Sequence, residues 1–302
     1  SNLYSTPTAS DLGFTIGPQL NAASRIGDSS LSSKLLISND KVIIESISKK
    51  LILLNEKRKL IENNVFQEAL IQAKKQINQK FILVYGKEWH NGVLGIVASR
   101  LIAKFYKPTI VISFNNNLGI GSARSINSID LGSIILNAKN HKLLQAGGGH
   151  KMAAGLKIKF EHLEKFTFFL KKNFKQFKKD LFKKIELFDS KLSVNEINNE
   201  LLEVLDQIEP YGKGNSEPQF IIEDIKIDHY KILKEKHLLI FFQNIFFVNL
   251  KAICFNCIGT KLGEYLMNFK NHRFNIGCSI KKDNFNKFLQ PQIIVKDVML
   301  IN

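Results

Sequence analysis

The clearest hydrophobic pattern in the chain is a long helical one near its beginning. From about 41 to 77, apolar side chains recur at spacings of three and four residues and fall on one face of a helix. They are Ile47, Leu51, Leu54, Ile61 and Val65. The pattern predicts one long helix, and its length without a breaker predicts that it bridges two bodies. Before it, residues 1–27 predict extended, turn-rich structure, and 31–37 a short helix.

The segment from 80 to 177 switches repeatedly between short apolar runs and helical spacing. This alternation predicts an α/β domain. The predicted strands cover 81–85, 109–114, 118–125 and 155–160, and the predicted helices cover 92–106, 130–140 and 161–177.

After residue 187 the pattern changes to short strands separated by turns. A helix over 196–208 comes first, and strands are predicted over 221–227, 238–242, 246–255, 273–280 and 293–300. So many strands in such a length predict a small β-barrel such as an OB-fold. Aromatic and basic side chains alternate there and would suit base stacking in a charged groove, although many of the phenylalanines must belong to the core. They are Phe241, Phe242, Phe246, Lys251, Arg273 and Phe274.

Net charge and cysteine content narrow the possible partners and the compartment. The net charge of +16 indicates a polyanionic partner, but only modestly, because nearly all of the cations are scattered lysines. Only five arginines occur: Arg25, Arg58, Arg100, Arg124 and Arg273. Three cysteines without a secretory signal suit a reducing cytoplasm, and a lone Cys-x-x-Cys pair lacks the four ligands of a structural zinc site. The chain contains no run of eighteen apolar residues, so no membrane span is predicted.

Four glycine-containing segments carry the candidate chemistry. In 17–27 a Gly-Pro turn would present an amide beside a guanidinium, and in 119–125 small residues would let a phosphate approach the backbone. Three consecutive glycines in 147–149 suggest a loop that meets a ligand. In 89–93 the start of a helix, with Asn91 as its cap, favours anions. Each segment alone could be an ordinary turn. The candidate residues are Asn21, Arg25, His90, Ser122, Arg124, Ser125, Gly148, Gly149 and His150.

Five ordered blocks of sequence resemble the RecJ family, and together they cover essentially the whole chain. They are Ile16-Gly-Pro-x-Leu-Asn-Ala-Ala-x-Arg25, Trp89-His-x-Gly-Val-x-Gly-Ile-Val-Ala-x-Arg-Leu101, Gly121-Ser-x-Arg-Ser125, Gly148-Gly-His-x-x-Ala-Ala-Gly155 and Glu209-Pro-Tyr-Gly-x-Gly-Asn-x-Glu-Pro-x-Phe220. The resemblance implies a phosphate-contacting segment and connecting helix at 1–79, a DHH-associated α/β domain at 80–177 and a nucleic-acid-binding OB-fold at 178–302. These three parts would close a ring through which the single-stranded DNA passes.

The resemblance also implies an activity, a 5′-to-3′ exonuclease specific for single-stranded DNA in repair and recombination. Ser122 and Arg124 match residues that grip the terminal phosphate region. Asn21, Arg25 and His150 match residues that face the scissile phosphate, and His150 is the candidate catalytic residue. The chain departs from the family at Gln19, where an arginine is usual, and at Ser24, where a glycine is usual. Loss of that cation puts the phosphate contact at Gln19 in doubt.

The carboxylate cluster that such hydrolysis requires is missing from the first 160 residues. Their aspartates are scattered, and none forms Asp-x-Asp or Asp-His-His. The Mg²⁺ or Mn²⁺ ions of the intact enzyme are therefore expected on the family's DHH domain and none on this chain, which alone should not hydrolyse DNA. The expected partners are single-stranded DNA, single-stranded-DNA-binding protein and a separately encoded DHH domain.

Two other functions remain open. One is a non-catalytic remnant that only binds single-stranded nucleic acid. The other is a nano-RNA or phosphonucleotide phosphatase of the same superfamily, which the C-terminal barrel disfavours.

Overall fold

A computed structural model describes residues 7–243, 250–283 and 290–301 of the chain. The chain divides into two compact units, Ser1–Lys184 and Ile185–Asn302. None of the described helices is both long and apolar enough to span a bilayer.

The first unit contains seven α-helices and five strands in its described part. The helices are α1 (Ala9–Asp11), α2 (Gly17–Ile26), α3 (Ser30–Ile37), α4 (Lys41–Lys74), α5 (Asn91–Phe105), α6 (Leu131–Asn140) and α7 (Leu163–Lys175). A π-helix (Leu12–Ile16) joins α1 to α2, and 3₁₀ turns cover Phe160–His162 and Lys179–Phe182. The strands are β1 (Ile82–Lys87), β2 (Thr109–Asn115), β3 (Leu118–Arg124), β4 (Ala146–His150) and β5 (Ala153–Lys159).

These five strands form one mixed sheet in the order β1-β2-β3-β5-β4. β1 and β2 run parallel and are joined through α5, and the remaining pairs are antiparallel. Alternate residues of each strand face opposite sides, so the sheet has two apolar faces. Leu83 and Ile112 belong to the core on the side of α6 and α7, whereas Val84 and Val111 pack with α4 and α5.

The long predicted helix is present as α4, three residues shorter at its end than expected. Asp40 begins it by accepting hydrogen bonds from the backbone N–H groups of Val42 and Ile43. Its first half packs on α2 and α3 through Ile47 and Leu51, and its second half packs on α5 and β1. The helix therefore joins the N-terminal helices to the sheet.

The structure corrects the sequence predictions for two segments. Residues 9–26 are helical rather than extended, because Pro18 occupies the first turn of α2, where a missing N–H costs nothing. The glycine-rich segment 146–150 is an edge strand rather than a loop, because it pairs along its length with β5. The cap of α5 is also corrected. His90 caps that helix, and Asn91 is its first residue.

The second unit is built on seven described strands with two α-helices. The strands are β6 (Ser190–Leu192), β7 (Phe220–Ile225), β8 (Ile227–Leu233), β9 (His237–Phe242), β10 (Lys251–Cys254), β11 (Arg273–Lys282) and β12 (Pro291–Ile301). The helices are α8 (Asn199–Gln207) and α9 (Lys261–Met267), with a 3₁₀ turn at Val194–Glu196. The sheet order is β6-β7-β11-β12-β10-β9-β8. β6, β8 and α9 were not predicted, and Phe246 lies outside the described residues.

Candidate nucleic-acid interface

Helix α2 presents Asn21 and Arg25 on one exposed face. The two residues are four apart, so they are neighbours on the helix surface. Ala22 and Ala23 between them are fully buried, and Ala23 packs against α3 and α4. The small side chains thus hold α2 against the unit while its polar face stays open.

Gly92 lets the end of α2 reach the start of α5. A Cβ at Gly92 would lie 2.0 Å from the carbonyl oxygen of Arg25, so any other residue would separate the two helices. The Arg25 guanidinium donates from Nη1 to the carbonyl oxygen of Gly92 at 3.2 Å. Arg25 is therefore fixed beside the first turn of α5.

Arg124 and Ser122 lie against the same end of α5, beside Gly95. Arg124 Nη1 donates to the Ser122 hydroxyl at 3.0 Å and to the carbonyl oxygen of Ala123 at 2.9 Å. A Cβ at Gly95 would lie 2.7 Å from Arg124 Nη2 and 3.1 Å from Ser122 Oγ. The glycines Gly92 and Gly95 therefore bring two guanidinium groups to one helix terminus.

The two guanidinium groups are close enough to affect each other. The pKa of Arg124 is lowered, first because the side chain is partly buried and second because the positive charge of Arg25 is nearby. Within the described parts of the chain, neither group pairs with a carboxylate, whereas Arg58, Arg100 and Arg273 all do. Two adjacent cations without a counter-charge favour a bound anion.

His90 adds a third polar group at this helix terminus. Its Nδ1 accepts a hydrogen bond from the backbone N–H of Gly92 at 3.1 Å, which caps α5. In the neutral ring this bond leaves the proton on Nε2, so the exposed edge of the ring is a donor.

The pairing of β3, β5 and β4 places His150 on the same face of the sheet as Arg124. Arg124 is opposite Ala153, which is opposite His150, and directly opposed residues project to the same face. Two residues further along each strand, Ser122, Gly155 and Gly148 form the next row of paired residues on this face. With strands about 5 Å apart, the backbones of Arg124 and His150 are separated by roughly 10 Å. His150 is exposed, and its backbone packs against Gly132 in the first turn of α6.

Ser125 and Gly149 both have contacts inside the fold, and a DNA contact at either residue remains a prediction. Ser125 is buried, and its hydroxyl donates to the carbonyl oxygen of Ile129 at 2.8 Å, so this donor is already used inside the fold. A Cβ at Gly149 would lie 2.3 Å from the carbonyl oxygen of Ala153, so close strand packing explains this glycine. Ser24, one of the two departures from the family pattern, donates to the carbonyl oxygen of Asn21 within α2.

The aromatic and basic residues predicted on the second unit have mixed positions. Phe274 is fully buried in the core, and Arg273 is bonded to Asp224. Phe241 is half-buried and stacks on His229 with ring centroids 4.2 Å apart and an interplanar angle of 11°. In the pairing of β9 with β10, Lys251 lies opposite Phe241.

Three further residues of the first unit adjoin these groups, although the sequence analysis did not select them as candidate site residues. Gly95 could have been found from its spacing of three from Gly92, which puts both on one side of α5. Gly155 and Lys157 follow on the open face of β5, and only the strand pairing reveals that Gly155 lies opposite Ser122, with Lys157 two residues further along β5.

The described residues contain no group of three or more His, Cys, Asp or Glu side chains that could hold a metal ion. The groups around the first turn of α5 are cations, hydroxyls and amides. Such donors suit a phosphate and do not fit a divalent cation, which prefers carboxylate oxygens. Among the described residues, the site therefore gathers positive charge and hydrogen-bond donors and not a cluster of metal ligands.

Comparisons with known proteins agree on both units. Residues 78–176 match the DHHA1 domain, and residues 188–297 match the RecJ OB domain. The single-stranded-DNA-specific exonuclease RecJ of Haemophilus influenzae is 33% identical over 296 residues, which are 94% of this chain and 51% of the relative. The RecJ of Bacillus subtilis is 27% identical over 293 residues, 95% of this chain and 36% of the relative. The chain therefore spans about 36–51% of the length of these relatives.

The crystal structure of RecJ from Thermus thermophilus in complex with Mn²⁺ has the same fold. It superposes with a TM-score of 0.83 at 24% identity, covering 98% of this chain and 42% of that one. A DHHA1 domain followed by an OB domain defines a protein of the DHH phosphoesterase superfamily. Within that class the chain belongs to the RecJ family and corresponds to the C-terminal part of its members.

Proposed function

We propose that this chain holds single-stranded DNA by its phosphate backbone, as the DNA-gripping part of a RecJ-type 5′-to-3′ exonuclease in DNA repair and recombination. The observation that carries the proposal is the pair Arg25 and Arg124, whose guanidinium groups are close enough to interact and lack a carboxylate partner among the described residues. Bringing two cations together is unfavourable unless an anion lies between them.

The proposed phosphate contacts follow from the hydrogen-bond donors that each side chain provides. Arg25 and Arg124 provide planar forks that match phosphate oxygens. Ser122 accepts a hydrogen bond from Arg124, so its own hydroxyl proton is left to donate to a second phosphate oxygen. Asn21 and the Nε2 proton of His90 extend the contacts on either side. His150, about two strands away, is placed to donate to a phosphate or to act as a proton donor there.

In this proposal, another part of the enzyme binds the divalent ions. The Thermus thermophilus relatives were solved with Mn²⁺ and with Mg²⁺. The described residues of this chain provide no matching cluster of ligands. The chain is thus proposed to position DNA while a DHH domain supplies the metal chemistry, and this chain alone is proposed to be inactive.

A DHH domain, whether in the same polypeptide or encoded separately, is proposed to dock on α4. Exposed apolar side chains on that helix support this, since Val42, Leu53 and Leu60 are 64–77% exposed. Single-stranded-DNA-binding protein is proposed as a further partner, and the cytoplasm as the compartment.

The test is the affinity of the 302-residue chain for a fluorescein-labelled single-stranded oligonucleotide, measured by anisotropy over a series of salt concentrations. Replacing Arg25 and Arg124 together by alanine should weaken binding and reduce the log–log salt slope by about 1.4, that is, about 0.7 for each of two lost phosphate contacts. The matched control is Lys165→Ala with Lys172→Ala, which removes two exposed cations from α7 on the opposite side of the sheet. Equal effects of the two double variants would show that bulk charge alone drives binding.

The alternative function is a binding remnant without chemistry, favoured by the same lack of a metal-ligand cluster in the described residues. It differs from the leading proposal in whether a DHH domain acts with this chain. If adding a DHH domain to this chain produces nuclease activity, the exonuclease proposal is favoured over the binding remnant. Preference for short RNA over long single-stranded DNA in competition would instead favour the nano-RNA phosphatases.

A further inference from the structure

Most glycines of the first sheet are explained by packing inside the fold. A Cβ at Gly119 would lie 2.6 Å from the ring of Phe114, and one at Gly121 would lie 2.9 Å from Leu156. A Cβ at Gly147 would lie 3.1 Å from the side chain of Ile135. A side chain at these positions would displace buried neighbours, so the core requires their absence.

Gly148 and Gly155 have no such explanation. A Cβ at either position would meet no atom within 4 Å, and neither has a positive φ. Glycine in the interior of a strand destabilises it by about 0.5–1 kcal/mol relative to alanine. Packing and backbone conformation would both accept a larger residue here.

The two glycines are paired with each other and lie within the candidate site. Gly148 is opposite Gly155, which is opposite Ser122, so they form one row across β4, β5 and β3. The neighbouring row is Arg124, Ala153 and His150. A strip of sheet nearly free of side chains therefore lies beside the row that joins Arg124 to His150, and it spans roughly 10 Å from β3 to β4.

Lys157 lies at one end of the strip. It is two residues beyond Gly155 on the same face of β5 and is exposed. It forms no ion pair with a carboxylate in the described part of the chain. Cations therefore stand on more than one side of the bare strip.

We propose that Gly148 and Gly155 form a floor on which at least two linked nucleotides lie, with the sugar–phosphate backbone in van der Waals contact with the sheet. One phosphate is held at Arg124, and the chain crosses the floor towards His150 and Lys157. A mononucleotide occupies only the arginine end. The proposal rests on the proposed function, and it adds the minimum length of the ligand and the reason for two otherwise unexplained glycines.

The test replaces Gly148 and Gly155 by alanine, singly, in the full 302-residue chain. Each variant should melt at or above the wild-type temperature, because alanine fits the space and restricts the unfolded chain. Each should bind a labelled dT12 strand about tenfold or more weakly, since the methyl group lifts the backbone off the sheet. The control is Gly212→Ala on the second unit, where a Cβ also meets nothing within 4 Å; its affinity should stay at the wild-type value.

Competition with short ligands separates the floor from the arginine end. Against dT12, the 5′-phosphorylated dinucleotide should lose affinity in Gly155→Ala, and thymidine 5′-monophosphate should not. Equal loss for both ligands, or wild-type binding of dT12 by both alanine variants, would overturn the floor. The proposed function fails differently: wild-type chain would not bind dT12, or the Arg25 and Arg124 double variant would bind as well as its lysine control.

Discussion

At the scale of single residues, the arginines separate structural charges from charges available to a ligand. Glu62 accepts hydrogen bonds from both Arg58 and Arg100, and Arg100 also lies 3.8 Å from the centroid of the Phe66 ring. Arg25 and Arg124 bond only to neutral oxygens in the described structure. In a chain where most cations are lysine, the two arginines that lack a counter-charge are those for which a rigid fork is useful.

Replacing Arg124 by lysine tests whether the fork or the charge matters. Lysine keeps the charge and loses the planar pair of donors, so single-stranded DNA binding should fall by about tenfold, part of the roughly 1.5–3 kcal/mol of a hydrogen bond to a charged group. Arg124→Ala should bind more weakly still. Anisotropy titrations at one salt concentration measure both, and wild-type affinity in Arg124→Lys would remove Arg124 from the phosphate contact.

At the scale of elements, the position of α5 decides the site, because its first turn receives Arg25 from α2 and Arg124 from β3. The second half of α4 holds α5 in place. Glu62 on α4 is largely buried and bonds to Arg58 on its own helix and to Arg100 on α5. This ion pair therefore ties the two helices together at the side of the core.

Removing the charge of Glu62 should destabilise the first unit substantially. In Glu62→Gln two arginines lose their carboxylate, and breaking a buried pair typically costs about 3–5 kcal/mol. Glu45→Gln is the control, because Glu45 forms an exposed i,i+4 pair with Lys49 on the same helix. That change should cost less than about 0.5 kcal/mol. Urea unfolding measures both, and equal midpoints for the two variants would contradict the structural role of Glu62.

At the scale of the whole molecule, the chain spans about 36–51% of the length of its first RecJ relatives, and the described residues contain no cluster of metal ligands. A division of labour follows for the proposed function. In that proposal this chain positions the single-stranded DNA. The hydrolytic centre lies in the portion of the relatives that this chain does not match.

The 302-residue chain should therefore bind labelled single-stranded DNA without degrading it in the presence of Mn²⁺. Nucleotide release is measured on a denaturing gel, with full-length Haemophilus influenzae RecJ as the positive control. Release by this chain at a rate near that of the control would contradict the proposed division, and loss of that release after chelation would show that this chain binds the metal itself.

The sequence alone determined the elements that depend on local hydrophobic period. The spacing of Ile47, Leu51 and Val65 predicts α4 because a helix of that length needs one continuous apolar face. The strands β2 and β3 and the helix α6 follow for the same reason, and scarce arginines with clustered glycines identified the site residues Arg25, Arg124 and His150 as candidates.

Tertiary structure decided what local pattern cannot express. The segment around Pro18 is a helix because Ala22 and Ala23 are buried against neighbouring elements, and β4 is a strand because β5 pairs with it despite its three glycines. Ser125 contains the same hydroxyl as Ser122, yet only the fold shows that one is used internally and the other lies beside Arg124. Which side chains share a face depends on strand register and helix docking, and these depend on contacts between residues far apart in the chain.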